Sequence, residues 1–309
     1  MKTQWNQIRR IVPGVGGDCI LLMGSEKTAL IDTGMTWCSD RLVKLLEEEL
    51  EGRNLDFVLL THTHYDHAGG VPALKRRWPG MEVVASGYGK WVFQREGAQR
   101  QMHRLAKIAA VQYLGEEALE RPETKELLEY PNEQMAVDLV VTMDQRINLG
   151  DLTVKVLETP GHTNCSLSYY VEELKLIYPS ESTGCFAPEG RIEPSVLTSF
   201  DQAIASTELC KAQGAEHVIS PHFGLVEEMD ADRYFEEALR EIRDQREFLR
   251  VRVQAGKTMD EILEDCIQVY YETRTISKEE QPLEAFVINT KATIQLIQKE
   301  EETNDTNAE

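Results

Sequence analysis

Short apolar runs alternate with turn residues in the first part of the chain. The apolar runs at 20–23 and 28–31 each end in a turn that contains a glycine. Apolar residues then recur at helical spacing over 40–50, and a compact apolar run at 57–60 leads directly into a segment rich in histidine. These patterns predict two strands, a helix and a third strand, in that order.

Strand and helix patterns continue beyond the histidine-rich segment. A short helix is predicted over 70–78, with Pro72 in its first turn, and a strand over 81–85. Residues 88–136 are charged and poor in β-branched side chains, which predicts a helical insertion. Strand-like runs return at 136–141, 153–157 and 167–171. Two strand-rich halves separated by helices predict an α/β sandwich, with helices outside two sheets.

Helical spacing replaces strand spacing from about residue 230 onward. Residues 258–261 have the form of a capping box, and a last helix is predicted from Leu283 to about Lys299. We therefore expect a main domain over 1–228, a helical C-terminal extension over 229–300 and a disordered tail over 301–309. The C-terminal helices could pack on their own chain as a lid or pair across a homodimer. Either arrangement would bury the apolar stripe of the extension.

The chain is strongly acidic. It has 33 Lys and Arg against 53 Asp and Glu, a formal net charge of −20. Nucleic acids are bound by clustered basic residues that neutralise phosphates. A nucleic acid partner is therefore not expected, and a small-molecule substrate is.

The sequence contains no pattern typical of membrane insertion or secretion. No stretch of about 18 apolar residues occurs, so a membrane partner is not expected. The segment that begins at Met1 lacks the apolar core of a secretory signal, which favours a cytoplasmic location. The six cysteines are far apart and form no Cys-x-x-Cys pair, which favours free, buried thiols over disulfides or a zinc ribbon.

Four potential metal ligands lie within six residues, in the segment that follows the apolar run at 57–60. The segment reads His62-Thr63-His64-Tyr65-Asp66-His67, in a chain with only seven histidines. Alternate residues of an extended chain point the same way, so His62 and His64 can present two imidazoles to one cation. Asp66 and His67 can reach a second cation beside the first, where the chain turns.

Three further candidate ligands follow later apolar runs. His162 lies in a Pro-Gly turn after a strand-like run, Glu181 follows the apolar pair Ile177-Tyr178, and His222 comes after another strand and turn. Each of the three residues alone is equally consistent with a structural role. Their shared position at successive strand ends favours one convergent site.

These motifs resemble those of the metallo-β-lactamase superfamily over about residues 8–228. The family signature His-x-His-x-Asp-His stands here at 62–67. The resemblance implies that His62, His64 and His162 bind one metal ion, and that Asp66, His67 and His222 bind a second. It also implies that Asp32, in the turn at 32–34, fixes a ligand histidine by accepting its second N–H.

One position departs from the family pattern. Family members usually have Gly-Asp where this chain has Ser180-Glu181, and that aspartate normally bridges both metals. Glu181 keeps the charge but adds a methylene. Glu181 is expected to be a metal ligand, either bridging both ions or binding one of them. The alternative is that its carboxylate reaches neither ion.

The ligand set predicts a metal-dependent hydrolase with two divalent ions. Its imidazoles and carboxylates suit Zn²⁺, Fe²⁺ and Mn²⁺ alike, and Zn²⁺ is the expected ion. A metal-bound hydroxide would attack the substrate, and Asp66 would orient it and pass its proton to the leaving group. The expected substrate is a small ester, thioester or lactone. A small-molecule phosphodiesterase and a non-catalytic ligand-binding or regulatory protein remain alternatives, and a metal-dependent oxygenase is a further one.

One further histidine and two cysteines are expected to have structural roles and not to bind metal. His103 lies in the charged insertion and is expected at the surface. Cys165 and Cys185 lie near ligand positions, but the histidine and carboxylate set is complete without them.

Overall fold

A computed structural model describes residues 6–275, 277–279 and 281–308 of the chain. The chain folds into two compact units. Unit 1 comprises Met1–Glu158 and Leu167–Leu176, and unit 2 comprises Thr159–Ser166 and Ile177–Glu309. Each unit is described separately.

Unit 1 contains a six-stranded sheet with the strands in chain order. The strands are β1 (Ile8–Ile11), β2 (Cys19–Met23), β3 (Thr28–Ile31), β4 (Phe57–Leu59), β5 (Glu82–Ser86) and β6 (Leu139–Val141). β1 to β3 pair antiparallel, whereas β3 to β6 pair parallel. In the parallel part Ile31 pairs with Leu59, so the residues that follow β3 and β4 leave the sheet at the same edge.

Helices cover one face of this sheet. The helices of unit 1 are α1 (Ser39–Leu50), α2 (Tyr65–Ala68), α3 (Val71–Arg77), α4 (Gly87–Phe93), α5 (Glu96–Leu114) and α6 (Pro122–Leu128). Leu42 and Leu46 of α1 and Leu74 of α3 are buried in one cluster with Leu21 and Val58 of the sheet. The alternate residues of β2 are buried as well, as expected for a sheet that is covered on both faces. α4 to α6 lie in the segment predicted to be a helical insertion, which is confirmed.

Three antiparallel strands complete unit 1: β7 (Arg146–Asn148), β8 (Thr153–Glu158) and β9 (Leu167–Val171). Tyr169 of β9 is fully buried, and its hydroxyl donates a hydrogen bond to the carbonyl of Leu60, 2.7 Å away. This bond fixes the chain just after β4, where the histidine-rich segment begins. The next strand, β10 (Leu176–Tyr178), begins in unit 1 and ends in unit 2.

The described residues of unit 2 form two strand pairs and four α-helices. β11 (Cys185–Ala187) pairs with β12 (Arg191–Glu193), and β13 (His217–Ser220) pairs with β14 (Gly224–Leu225). The helices are α7 (Phe200–Lys211), α8 (Ala231–Gln254), α9 (Met259–Cys266) and α10 (Leu283–Ala308). Phe200, Ile242, Ile262 and Ile294, one from each helix, are buried in a single apolar cluster. The apolar stripe of the C-terminal helices is therefore covered within their own chain.

The structure refines the predicted C-terminal helices. The capping box is confirmed, because Thr258 and Glu261 bond each other's backbone N–H at the start of α9. The last helix was predicted to end near Lys299, with a disordered tail over 301–309, but α10 continues to Ala308. Glu300, Glu301 and Glu302 are good helix formers, so polarity alone does not end the helix there. Among the described residues, no helix has the length and apolar content that crossing a bilayer requires.

Replacing Ile294 with Ala is expected to destabilise the extension. Ile294 is fully buried in the cluster of the four helices, and such a truncation costs about 2–5 kcal/mol in unfolding free energy. Chemical denaturation followed by circular dichroism measures the loss. Ile288, on the same helix, is 48% exposed, so Ile288→Ala should cost less than about 0.5 kcal/mol. Equal losses in the two variants would contradict this packing.

Candidate metal centre

Three imidazoles lie close together beyond the end of β4. The ring centroid of His62 is 4.5 Å from that of His64 and 4.1 Å from that of His67. The backbone of His64 is extended, as predicted for a pair of alternating ligands, and α2 begins at the next residue. Asp66 and His67 lie in that single helical turn, with Asp66 Oδ2 3.9 Å from His67 Nε2. Unit 1 therefore brings the four residues of the motif together.

A buried carboxylate, Asp32, organises this segment. It follows β3 at the edge where the chain after β4 also emerges. Its Oδ1 accepts the backbone N–H of Thr61, and its Oδ2 accepts both the Thr61 hydroxyl and His67 Nδ1, each at 2.8 Å. Asp32 has a left-handed backbone with φ of 57°, an unfavourable conformation that the surrounding hydrogen bonds hold in place.

The hydrogen bonds of two rings define which nitrogen faces a ligand. A carboxylate oxygen only accepts, so His67 donates from Nδ1 to Asp32 and carries its lone pair on Nε2. The Thr61 hydroxyl donates to Asp32 and can therefore accept from His62 Nδ1, which lies 3.0 Å away. Both rings thus adopt the tautomer in which Nε2 can bind a metal.

In unit 2, serine side chains hold the loop of His162 against the loop of Glu181. Ser182 Oγ accepts the backbone N–H of His162 at 2.9 Å and donates to the carbonyl of Thr159 at 2.7 Å. Ser180 Oγ bonds the same carbonyl and caps the 3₁₀ turn that starts at Glu181. The serine that replaces the family glycine thus fixes the backbone beside Glu181.

Glu181 lies between two histidines. Its Oε2 is 3.6 Å from His162 Nε2, and its Oε1 is 3.2 Å from His222 Nε2. His222 has a left-handed backbone with φ of 70°, which is uncommon for a residue with a side chain and clusters at functional sites. Unit 2 therefore brings together the three ligand candidates that lie outside the motif.

Ser195 contacts two of these candidates and was not predicted from the sequence. Its carbonyl accepts His162 Nδ1–H at 2.7 Å, which leaves the lone pair of His162 on Nε2. Its hydroxyl donates to Glu181 Oε2 at 3.0 Å. Every residue type has a backbone carbonyl, so the residue type at 195 does not predict the bond to His162. The sequence signal for this turn is Pro194, which directly precedes Ser195.

The structure also describes the cysteines and His103. All six cysteines are free and buried, as predicted. His103, which was expected at the surface, is half-buried: its ring stacks on Tyr130 with centroids 4.4 Å apart, and its Nδ1 bonds the carbonyl of Leu128. The helices of the insertion therefore pack on each other through a residue whose charged neighbours suggested exposure.

Comparison with known proteins identifies the family of the chain. The family model described as the metallo-beta-lactamase superfamily matches residues 12–237, and the chain belongs to that superfamily. A metallo-beta-lactamase fold-containing protein of Sulfurisphaera tokodaii is 23% identical over 81% of this chain and 87% of its own length. A hydroxyacylglutathione hydrolase of Bradyrhizobium is 30% identical over 44% of this chain and 38% of its own length. The chain therefore matches only part of the latter protein.

Solved structures show the same fold. A metallo-beta-lactamase family protein of Thermus thermophilus has a TM-score of 0.65 at 17% identity, covering 97% of this chain and 95% of its own. The predicted α/β fold with a helical extension is confirmed, and so is the assignment to the metal-dependent hydrolases of this superfamily. Membership implies a divalent metal, and the donors present fit one, because imidazoles and carboxylates are donors that divalent ions bind and the rings of His62, His67 and His162 keep Nε2 available.

Replacing Ser195 with Ala is expected to weaken Zn²⁺ binding by about tenfold, the lower part of the range for residues that orient metal ligands. The variant loses the hydroxyl that bonds Glu181 but keeps the carbonyl that orients His162. Competition with a chromogenic chelator measures the affinity. Ser25→Ala, which removes a hydroxyl that accepts the backbone N–H of Asp151, is the control. Equal affinities in the two variants would rule out a positioning role for Ser195.

Proposed function

We propose that the chain hydrolyses a small ester, thioester or lactone with the help of two divalent ions, Zn²⁺ in the first instance. The proposed ligands are three imidazoles for the first ion and two imidazoles with two carboxylates for the second: His62, His64 and His162, then Asp66, His67, Glu181 and His222. The observation that carries the proposal is the position of Glu181. Its two oxygens lie beside a proposed ligand of each ion, as a bridging carboxylate requires.

When bound, such ions lower the pKa of water towards neutrality and polarise the oxygen of an electrophile. The residues of the chain supply orientation and proton transfer. Asp32 and Ser195 hold the rings of His67 and His162 with Nε2 available. The Asp66 carboxylate can take a proton from the attacking water and return it to the leaving group.

An acyl substrate is favoured over a phosphodiester by the likeness to a named relative. A relative named hydroxyacylglutathione hydrolase is 30% identical over 140 residues. This likeness supports a small acyl compound whose leaving group needs one proton, and we propose that Asp66 delivers it.

A substrate panel tests the proposal. The probes are S-lactoylglutathione, p-nitrophenyl acetate, γ-butyrolactone and bis-p-nitrophenyl phosphate. We expect kcat/KM for an acyl probe to exceed that for the phosphodiester by at least ~100-fold, a difference of about 2.7 kcal/mol in transition-state stabilisation. A chelator should abolish the activity, and Zn²⁺ should restore it.

Two other outcomes would replace the proposal. Preference for bis-p-nitrophenyl phosphate would identify a small-molecule phosphodiesterase. Absence of turnover, with less than one ion per chain by elemental analysis, would identify a ligand-binding member of the family.

A further inference from the structure

Three partly exposed aromatic side chains lie beside the histidine motif in unit 1. They are Trp37, Tyr65 and Tyr113, here called the aromatic wall. All three pack on a small buried cluster that consists of Met35, Cys38 and Ala109. Each residue of that cluster is at most 4% exposed, whereas the rings keep part of their surface open. The surface that this region presents to a bound molecule is therefore aromatic.

Tyr65 links the aromatic wall to the proposed metal centre. It is the first residue of α2 and lies between His64 and Asp66, which are proposed ligands of the first and the second ion. Consecutive Cα atoms are only about 3.8 Å apart, which is less than the length of a tyrosine side chain. A molecule bound to metal ions at His64 and Asp66 therefore lies within reach of the Tyr65 ring.

The helical insertion contributes another part of the wall. Ala109 and Tyr113 are four residues apart in α5, so they lie on the same face of that helix. Ala109 is 3% exposed, and its small side chain lets α5 lie close to the cluster on which Tyr65 also packs. The insertion thus places an aromatic residue beside the segment that carries the histidine motif.

Contacts within the wall hold two of its rings in place. Trp37 and Tyr113 stack with ring centroids 5.1 Å apart and planes inclined by 22°. The single donor of Trp37, its Nε1–H, bonds Met35 Sδ at 3.3 Å. Rings that are ordered before a ligand arrives lose little conformational entropy when it binds. The wall is therefore a preformed apolar surface.

We propose that the aromatic wall binds the acyl group of the substrate and selects an apolar acyl group over a charged one. Tyr65 is the specificity-determining residue, because it is the member of the wall that adjoins the proposed ligands. Aromatic rings pack well against apolar carbon and against other rings, whereas a carboxylate placed on them loses water without gaining a counter-ion. The inference rests on the proposed function, to which it adds the class of acyl group.

Hydroxamates of different acyl groups test the wall without the need for turnover. Their two oxygens bind a divalent ion, and the acyl substituent points away from it. Isothermal titration of the Zn²⁺-loaded full chain compares benzohydroxamate with acetohydroxamate and with the monohydroxamate of succinic acid. We expect benzohydroxamate to bind at least ~10-fold more tightly than the other two, the effect of burying about one apolar side chain.

The titration separates failure of this inference from failure of the proposed function. Equal affinities, or tighter binding of the succinic acid derivative, would overturn the selection of an apolar group even if the chain hydrolyses acyl probes. Preference for benzohydroxamate without hydrolysis of any probe would contradict the proposed function and leave the inference standing.

Variants of Tyr65 locate the preference. The measured quantity is the dissociation constant of acetohydroxamate divided by that of benzohydroxamate. Both compounds share the metal contact, so a change in metal affinity alone leaves this ratio unaltered. Tyr65→Ala should lower the ratio from ~10 to about 2, and Tyr65→Phe should preserve it, because the ring and not the hydroxyl makes the contact. A wild-type ratio in Tyr65→Ala, or a lowered one in Tyr65→Phe, would refute the assignment.

Two further variants complete the experiment. Tyr113→Ala removes a second ring of the wall and should lower the ratio by about threefold, which serves as the test if Tyr65→Ala does not fold. Tyr170→Ala is the matched control. Tyr170 is also partly exposed, but it lies about 10 Å along β9 from Leu167, whose N–H bonds the carbonyl of Thr61. A ratio lowered equally in Tyr113→Ala and Tyr170→Ala would contradict a role of the wall.

Discussion

Replacing Asp66 with Asn is expected to lower kcat by about 10²–10⁴-fold on the best acyl probe, the usual contribution of a positioned proton-transfer group. The amide keeps the shape of the side chain but cannot accept a proton. Asp66 lies in the single turn of α2, and its side chain is 20% exposed, so the carboxylate is partly open to solvent. Steady-state kinetics on the metal-loaded enzyme measure the loss.

Asp66 is also a proposed ligand, so metal content must be measured in the same samples. If Asp66→Asn keeps both ions and loses kcat, the carboxylate acts in proton transfer. A variant that loses an ion but recovers kcat at high Zn²⁺ would show that the residue acts only as a ligand. Asp40→Asn, at an exposed position in the first turn of α1, is the matched control and should change kcat by less than about twofold.

The parts of the fold that could be predicted are those with a clear apolar period. β2, β3 and β4 are compact apolar runs, and α1 has a broad apolar face, so their order was readable in the sequence. β7 and β12 escaped prediction because each has three residues with a single buried one, too few to establish alternation. α10 extends past its predicted end because glutamates sustain a helix in spite of their polarity.

In the candidate site, residues adjacent in the sequence could be predicted, whereas contacts between distant segments could not. His62, His64, Asp66 and His67 are adjacent in the sequence, so one motif suggests them all as ligands. The Ser195 contacts cross from residue 195 to His162 and Glu181, and they use a carbonyl and a hydroxyl in a loop without periodicity. Sequence spacing contains no information about such contacts, since they depend on how the loop folds back. The assignment of the seven ligands stays a prediction that metal analysis can test.

Glu181→Ala is expected to lose one of two bound Zn²⁺ ions, whereas Glu181→Asp is expected to keep both with weaker affinity for one. The carboxylate is 7% exposed, and each of its oxygens lies beside a different histidine. Removing it deletes an anionic ligand and leaves His162 and His222 to share the site with water. Elemental analysis after dialysis against a weak chelator gives the number of ions per chain.

The Asp variant separates the effect of charge from that of length. Aspartate is one methylene shorter, so it can bridge only if the backbone at Ser180 moves towards the histidines. That backbone is held by the hydrogen bonds of Ser180 and Ser182 to Thr159, which oppose such a shift. If the serines set the reach of Glu181, the combined change Ser180→Gly with Glu181→Asp should bind the second ion more tightly than Glu181→Asp alone. Full occupancy in Glu181→Ala would instead show that the carboxylate contacts the histidines without bridging the metals.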